Sequence, residues 1–247
     1  MELVLVAIWC FIVAAIGGLV GLVLGNIRLP VVLLAATSPA AGAGANIGIS
    51  SVAAATASIV HIRAGRIDWR LFAVMAPPSM LGAVAGGLIS GALPGDVLLA
   101  VIGVTLLYFG IDLLRSKRAP DAPPKQGLDY RAAVVAGALI GLIGGVVGLI
   151  LGSLRLPALL RWVGEEPARA VGTNVAVGFL VGLAGVVGHI PGGVDWTVLG
   201  VGSAASVPGA LVGSRLTGRL SPPQLMRAIG IVLVVAAVSI LAQVALP

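Results

Sequence analysis

The segment GGLVGLVLGNIRLP, residues 17–30, returns at residues 144–157 as GGVVGLILGSLRLP, identical at ten of fourteen positions. In so apolar a chain one such match carries little weight, but the offset persists. Asn46 recurs as Asn174 and His61 as His189, each 128 residues on, and Asp68-Trp69 recurs as Asp195-Trp196, 127 residues on. A fixed period of about half the 247 residues means a duplicated unit, so the fold is built from two related halves. In membrane proteins such halves commonly face each other across a central substrate site.

Composition places the chain in a bilayer. Hydrophobic residues make up 59%, charged residues 10%, and mean hydropathy is +1.13, far from the balance of a soluble domain. Apolar segments can be drawn at about 3–25, 38–60, 71–91, 97–114, 132–152, 170–188, 197–214 and 222–246. None alternates like a barrel strand, and lipid offers the backbone no partner, so an all-α polytopic protein is expected. The apolar run that opens the chain lacks a basic n-region and a clean cleavage site, and reads as a first membrane element. The expected organisation is a membrane repeat over 1–114, a polar cytoplasmic linker over 115–131 rich in Pro and charge, and a second repeat over 132–247. A pI near 10.7 reflects basic loops rather than nucleic-acid binding.

The distribution of those bases selects a topology. With eight full crossings the halves are parallel, and the bases divide eight against seven across the membrane. If the first element of each half enters and turns back, each half crosses three times, the halves are inverted, and the division becomes fourteen against one, with only Arg28 outside. The positive-inside tendency favours the second arrangement. It places Glu2 and Pro247 on the extracytoplasmic side.

Catalysis finds little raw material. Most carboxylates fall in loops or at segment ends, and the chain has no HExxH, GxSxG, CxxC or Walker loop. The single cysteine, Cys10, excludes an intrachain disulfide, and no metal site or cofactor is expected. The Gly–Arg–Pro motifs are the strongest local signal. Gly25 and Gly152 permit unusual backbone, and Pro30 and Pro157 are expected to interrupt the helix. Arg28 and Arg155 put a full positive charge beside each break, where helix N-termini already suit anions. They either contact a substrate or snorkel to the interface. Repetition in both halves favours contact. Asn46, Asn174 and Thr173 either donate to anionic oxygens or glue helices together. With Asn26 and Ser153, which follow the glycines, these residues form the candidate substrate site. Ser50, Ser51 and Thr56 read as hydroxyls bonding their own helix. His61 and His189 fall at helix ends and read as interfacial, and Trp69 and Trp196 as interface anchors.

On these residues the chain resembles the TauE/SafE sulfite-exporter family, also called the toluene-sulfonate uptake permease family. The resemblance rests on the duplicated Gly-rich stretches ending in Pro30 and Pro157, the turn Gly172-Thr173-Asn174 with its weaker counterpart Gly44-Ala45-Asn46, and the loops RAGRIDW (63–69) and GGVDW (192–196). It covers essentially the whole chain. It implies a prokaryotic cytoplasmic-membrane permease that moves sulfite, sulfonates or related small anions. The sequence departs from the usual run of glycines at Val23-Leu24-Gly25 and Ile150-Leu151-Gly152, and from an expected apolar residue at Arg28 and Arg155, which favours an anion. The expectation is a secondary transporter exporting that anion by alternating access, driven by membrane potential. A homodimer is compatible with it. A passive channel and a non-transporting scaffold are the alternatives.

Overall fold

The computed structural model describes the chain except residues 89–94, 116–126, 148, 191–192 and 246–247. The described residues hold ten α-helices and no strand: α1 (Glu2–Val20), α2 (Gly25–Ala35), α3 (Pro39–Arg63), α4 (Trp69–Leu88), α5 (Gly95–Arg115), α6 (Tyr130–Val147), α7 (Gly152–Ala158, continued by a π-helical turn over Leu159–Val163), α8 (Pro167–His189), α9 (Trp196–Thr217) and α10 (Pro222–Ala245). Among the described residues five stretches, in α1, α3, α8, α9 and α10, are long and apolar enough to cross a membrane. Where eight segments were drawn from sequence, the segments at 3–25 and 132–152 each end at a break that a second, shorter helix follows.

The breaks do not fall at the prolines, which corrects the expectation for Pro30 and Pro157: both lie inside helices, α2 and α7. The first break is made by Gly21, whose φ of 69° is left-handed and unstrained without a Cβ. Its N–H and that of Leu22 return to the Gly17 carbonyl, the latter at 2.9 Å, closing α1 with a Schellman-type cap. The second half repeats the bond, Leu149 N–H to Gly144 O at 3.0 Å. Proline within α2 removes the donor that the Asn26 carbonyl expects four residues earlier, and Pro157 does the same to Ser153. The helices continue past both.

Packing at small residues fixes the direction of each helix. Gly209 and Gly213 of α9 lie against the backbone of Phe11 and Ala15 in α1, so these helices run parallel. Gly137 and Gly141 of α6 lie against Met75 and Ser79 of α4, the repeat-related parallel pair. By contrast α8 runs against α3, with Gly172 beside His61, Gly182 beside Ser51 and Gly185 beside Ile47. Likewise α10 runs against α5, with Gly110 beside Val234 and Gly103 beside Leu241. Within the first half α2 turns back along α3, with Gly25 beside Asn46 and Gly42 beside Leu33. The long helices α1, α3, α4 and α5 of the first half thus each pack on a helix of the second, and the largest apolar core joins them from Val13 to Ile240.

One end of the bundle collects the bases. Arg169 meets Asp68 at 2.9 Å, Arg161 meets Asp112 at 2.6 Å, and Arg66 donates to the Ser214 carbonyl at 3.0 Å. The termini of α3, α4, α5, α6, α8, α9 and α10 at that end, with the loops beside them and the π-helical turn after α7, carry Arg63, Arg66, Arg70, Arg115, Arg131, Arg161, Arg169, Arg215, Arg219 and Arg227. Among the described residues none of the remaining bases lies at the opposite end. Most of the linker at 115–131, and Pro247, lie outside the described residues.

Candidate functional site

Beyond each break the chain restarts as a helix whose first residue is glycine, Gly25 in α2 and Gly152 in α7. Neither has positive φ, which corrects the expectation of unusual backbone there. Their use is space. A Cβ on Gly25 would stand 3.1 Å from Ser50 Oγ and 3.2 Å from Asn46 Nδ2, and one on Gly152 would stand 3.3 Å from Asn174 Nδ2. The asparagine amides therefore reach the glycine carbonyls: Asn46 donates to Gly25 O and Asn174 to Gly152 O, each at 3.0 Å.

The arginine three residues after each glycine comes round on the same helical turn. Arg28 Nε donates to Asn46 Oδ1 at 3.0 Å and Nη2 to the Asn46 carbonyl at 3.4 Å, and Nη2 also donates to Ser50 Oγ. Arg155 Nη1 donates to Asn174 Oδ1 at 3.4 Å. Asn174 reaches further than its counterpart, donating also to the Gly21 carbonyl at 2.6 Å, so a helix of the second half holds the break of the first. Val23 and Ile150, one from each break, both lie near Gly178 of α8. The two motifs meet there.

Both guanidinium groups are inside the protein, at 2% exposure for Arg28 and 1% for Arg155. That excludes snorkelling to the interface. Among the described residues no carboxylate forms an ion pair with either. Arg28 and Ser50 line a cavity together with Leu22, Leu24 and Val175. A second cavity between the breaks is lined by Asn26, Asn46, Ser50 and Ser153. In this conformation each admits a water-sized group and little more. Asn26 Nδ2 is buried without a partner among the described residues.

Other expected residues go elsewhere. Thr173 turns away from its neighbour Asn174, and its hydroxyl accepts from the Asp68 N–H at 3.0 Å, tying α8 to the start of α4. His61 is fully buried rather than interfacial, with Nδ1 3.5 Å from Arg66 Nη1. The His189 side chain lies outside the described residues. Trp69 and Trp196 are 56% and 65% exposed. The aspartates before them cap helices. Asp68 accepts from Leu71 N–H at 2.8 Å. Asp195 accepts from Val198 and Thr37 N–H, both at 3.0 Å, and these amides, the Val198 bond foremost, hold its carboxyl below the usual range. Glu165, just before α8, is pushed up by burial.

Sequence reasoning missed Ser50 as a ligand of Arg28, although its place one turn after Asn46 put both on one helix face. It also missed Gly21 and the inter-half contact of Arg66.

Comparison with known proteins fits this arrangement. The family model of sulfite exporter TauE/SafE matches residues 6–240. The chain belongs to the TauE/SafE family. Among its relatives, the probable membrane transporter protein YunE of Bacillus subtilis (strain 168) is 24% identical over 242 residues, covering 87% of each chain. A probable membrane transporter protein of Xylella fastidiosa (strain 9a5c) is 27% identical, covering 91% of this chain and 92% of its own. The probable membrane transporter protein y4hK of Sinorhizobium fredii (strain NBRC 101917 / NGR234) is 28% identical, covering 87% and 89%. No solved structure matches the chain. Like its TauE/SafE relatives, the protein is a multi-pass membrane transporter.

Proposed function

We propose that this TauE/SafE protein is a secondary transporter that exports a small anion, sulfite or an organosulfonate, across the cytoplasmic membrane of a prokaryote. One observation carries the reading: two buried, repeat-related arginines with no carboxylate partner among the described residues. A buried cation is costly unless paired, and an ionisable group inside a membrane bundle marks a substrate path by default. An anion from solution completes the pairing. Asn26, whose amide nitrogen is buried without a partner among the described residues, and Ser153 supply neutral donors around it, while Asn46, Asn174 and Ser50 hold the arginines, and chemistry at the protein's own side chains is not required.

The two halves are inverted repeats, each with one re-entrant hairpin and three crossings. The opposed directions of α3 and α8 and of α5 and α10 support this, as does the return of α2 along α3. The basic end is then cytoplasmic by the positive-inside tendency. The domain organisation follows as 1–114, a cytoplasmic linker at 115–131, and 132–247. Cavities of water size favour alternating access over an open pore, because a sulfonate enters only when the halves rearrange. An inside-negative potential supplies about 2.3 kcal/mol per charge per 100 mV, or roughly a fiftyfold outward gradient per charge at 1.36 kcal/mol per decade.

The test is flux of sulfite, sulfoacetate and sulfate in proteoliposomes under an imposed potassium-diffusion potential at equal pH. Saturable, mutually competitive and potential-dependent flux is expected. Flux that never saturates indicates a channel, and movement of no small anion overturns the proposal.

A further inference from the structure

The two arginine clamps share a plan but differ in one hydroxyl. Ser50 lies four residues after Asn46; the residue four after Asn174 is Gly178. Arg28 is therefore held three ways: by the Asn46 side chain, the Asn46 carbonyl and Ser50 Oγ, whose own proton goes to the Asn46 carbonyl at 2.8 Å. Arg155 has one bond, to Asn174 at 3.4 Å, and its Nε–H is buried with no partner among the described residues. The Asn174 amide nitrogen donates to Gly21 O and Gly152 O, which fixes the side chain with its one acceptor, Oδ1, on Arg155 Nη1 and offers Nε nothing.

Buried donors without acceptors are rare in folded proteins, and one on a charged group is costlier than on a neutral group. We infer that Arg155 is the residue whose guanidinium binds the oxyanion directly, while Arg28 is a positioning residue that fixes α2 on α3. The missing hydroxyl at Gly178 keeps Arg155 available. The inference rests on the anion reading above and adds a division of labour between the halves. Its ligand is an oxyanion with two oxygens free to meet a planar fork of donors, which a point charge on lysine matches less well.

The experiment measures sulfite and ethanesulfonate binding to the full chain in nanodiscs. Gly178→Ser brings a hydroxyl to the position equivalent to Ser50, and Gly178→Ala adds the same Cβ, 3.2 Å from Val23 Cγ2, without it. Gly178→Ser is expected to weaken sulfite binding by about tenfold beyond Gly178→Ala, the value of one charge-assisted hydrogen bond. Equal affinities overturn the inference. Arg155→Lys and Arg28→Lys repeat the comparison without added volume. Arg155→Lys is expected to lose at least about tenfold more affinity, and equal losses, or a larger loss at Arg28, overturn it. Wild type that binds neither probe overturns the anion reading itself, whereas binding indifferent to these substitutions overturns the division of labour alone.

Discussion

Asn174 hydrogen-bonds at both breaks. It is fully buried, donates to Gly21 O at 2.6 Å and Gly152 O at 3.0 Å, and accepts from Arg155 at 3.4 Å. Asn174→Ala removes three hydrogen bonds, each worth about 0.5–1.5 kcal/mol net, and leaves buried partners unsatisfied, for a loss of about 3 kcal/mol. Asn46→Ala removes the bond to Gly25 O and the acceptor for Arg28 Nε, but Arg28 keeps Ser50 and the residue 46 carbonyl. That loss is about 1.5 kcal/mol. In a chain of this size 1 kcal/mol moves the melting temperature by about 2–4 °C, so the expected falls are roughly 6–12 °C and 3–6 °C. Intrinsic tryptophan fluorescence in one detergent gives both values. A fall for Asn46→Ala equal to or larger than that for Asn174→Ala refutes the view that Asn174 holds the two halves' breaks together.

Three further outcomes follow from the geometry. Gly21→Ala forces a side chain into left-handed backbone and puts Cβ 2.5 Å from Val171 Cγ1, so it should cost about 2–4 kcal/mol and sharply lower the yield of monodisperse protein; a normal melting curve contradicts the cap. Asp195 has a lowered carboxyl pKa, so its contribution is present above its unfolded value and is lost as pH falls through the lower folded value. Wild type should therefore lose more stability on acidification than Asp195→Asn, and parallel melting-versus-pH curves would count against the two amide bonds. Cysteine introduced at position 2, 121 or 247 in a background lacking Cys10 should be reached by impermeant reagents from outside at 2 and 247 and from the cytoplasm at 121; a cytoplasmic residue 2 excludes the inverted arrangement.

The sequence carried the site's composition better than its geometry. Duplication made Arg28 with Arg155 and Asn46 with Asn174 visible, because a residue kept in both copies of a repeat usually keeps its partner too. The position of the breaks was misread. Proline is a local signal, but the bond it removes is a single one, which α2 and α7 tolerate, whereas Gly21 ends α1 through a cap that depends on backbone conformation. Thr173 adjoins Asn174 in sequence, yet successive helix residues point about 100° apart, and its hydroxyl serves Asp68. Arg66, in the loop between α3 and α4, joins α9 through Ser214 and packs on Gly218, contacts between halves that no local pattern encodes. Arg219, exposed at the same end, is a suitable loop control.

The most direct measurement is sulfite flux in proteoliposomes at matched protein density for wild type, Arg28→Ala, Arg155→Ala and Arg219→Ala. Saturable sulfite movement is expected in wild type and Arg219→Ala, with loss of about tenfold or more in both buried-arginine variants and partial recovery with lysine. Folded Arg28→Ala and Arg155→Ala proteins that carry sulfite at the wild-type rate would contradict the account.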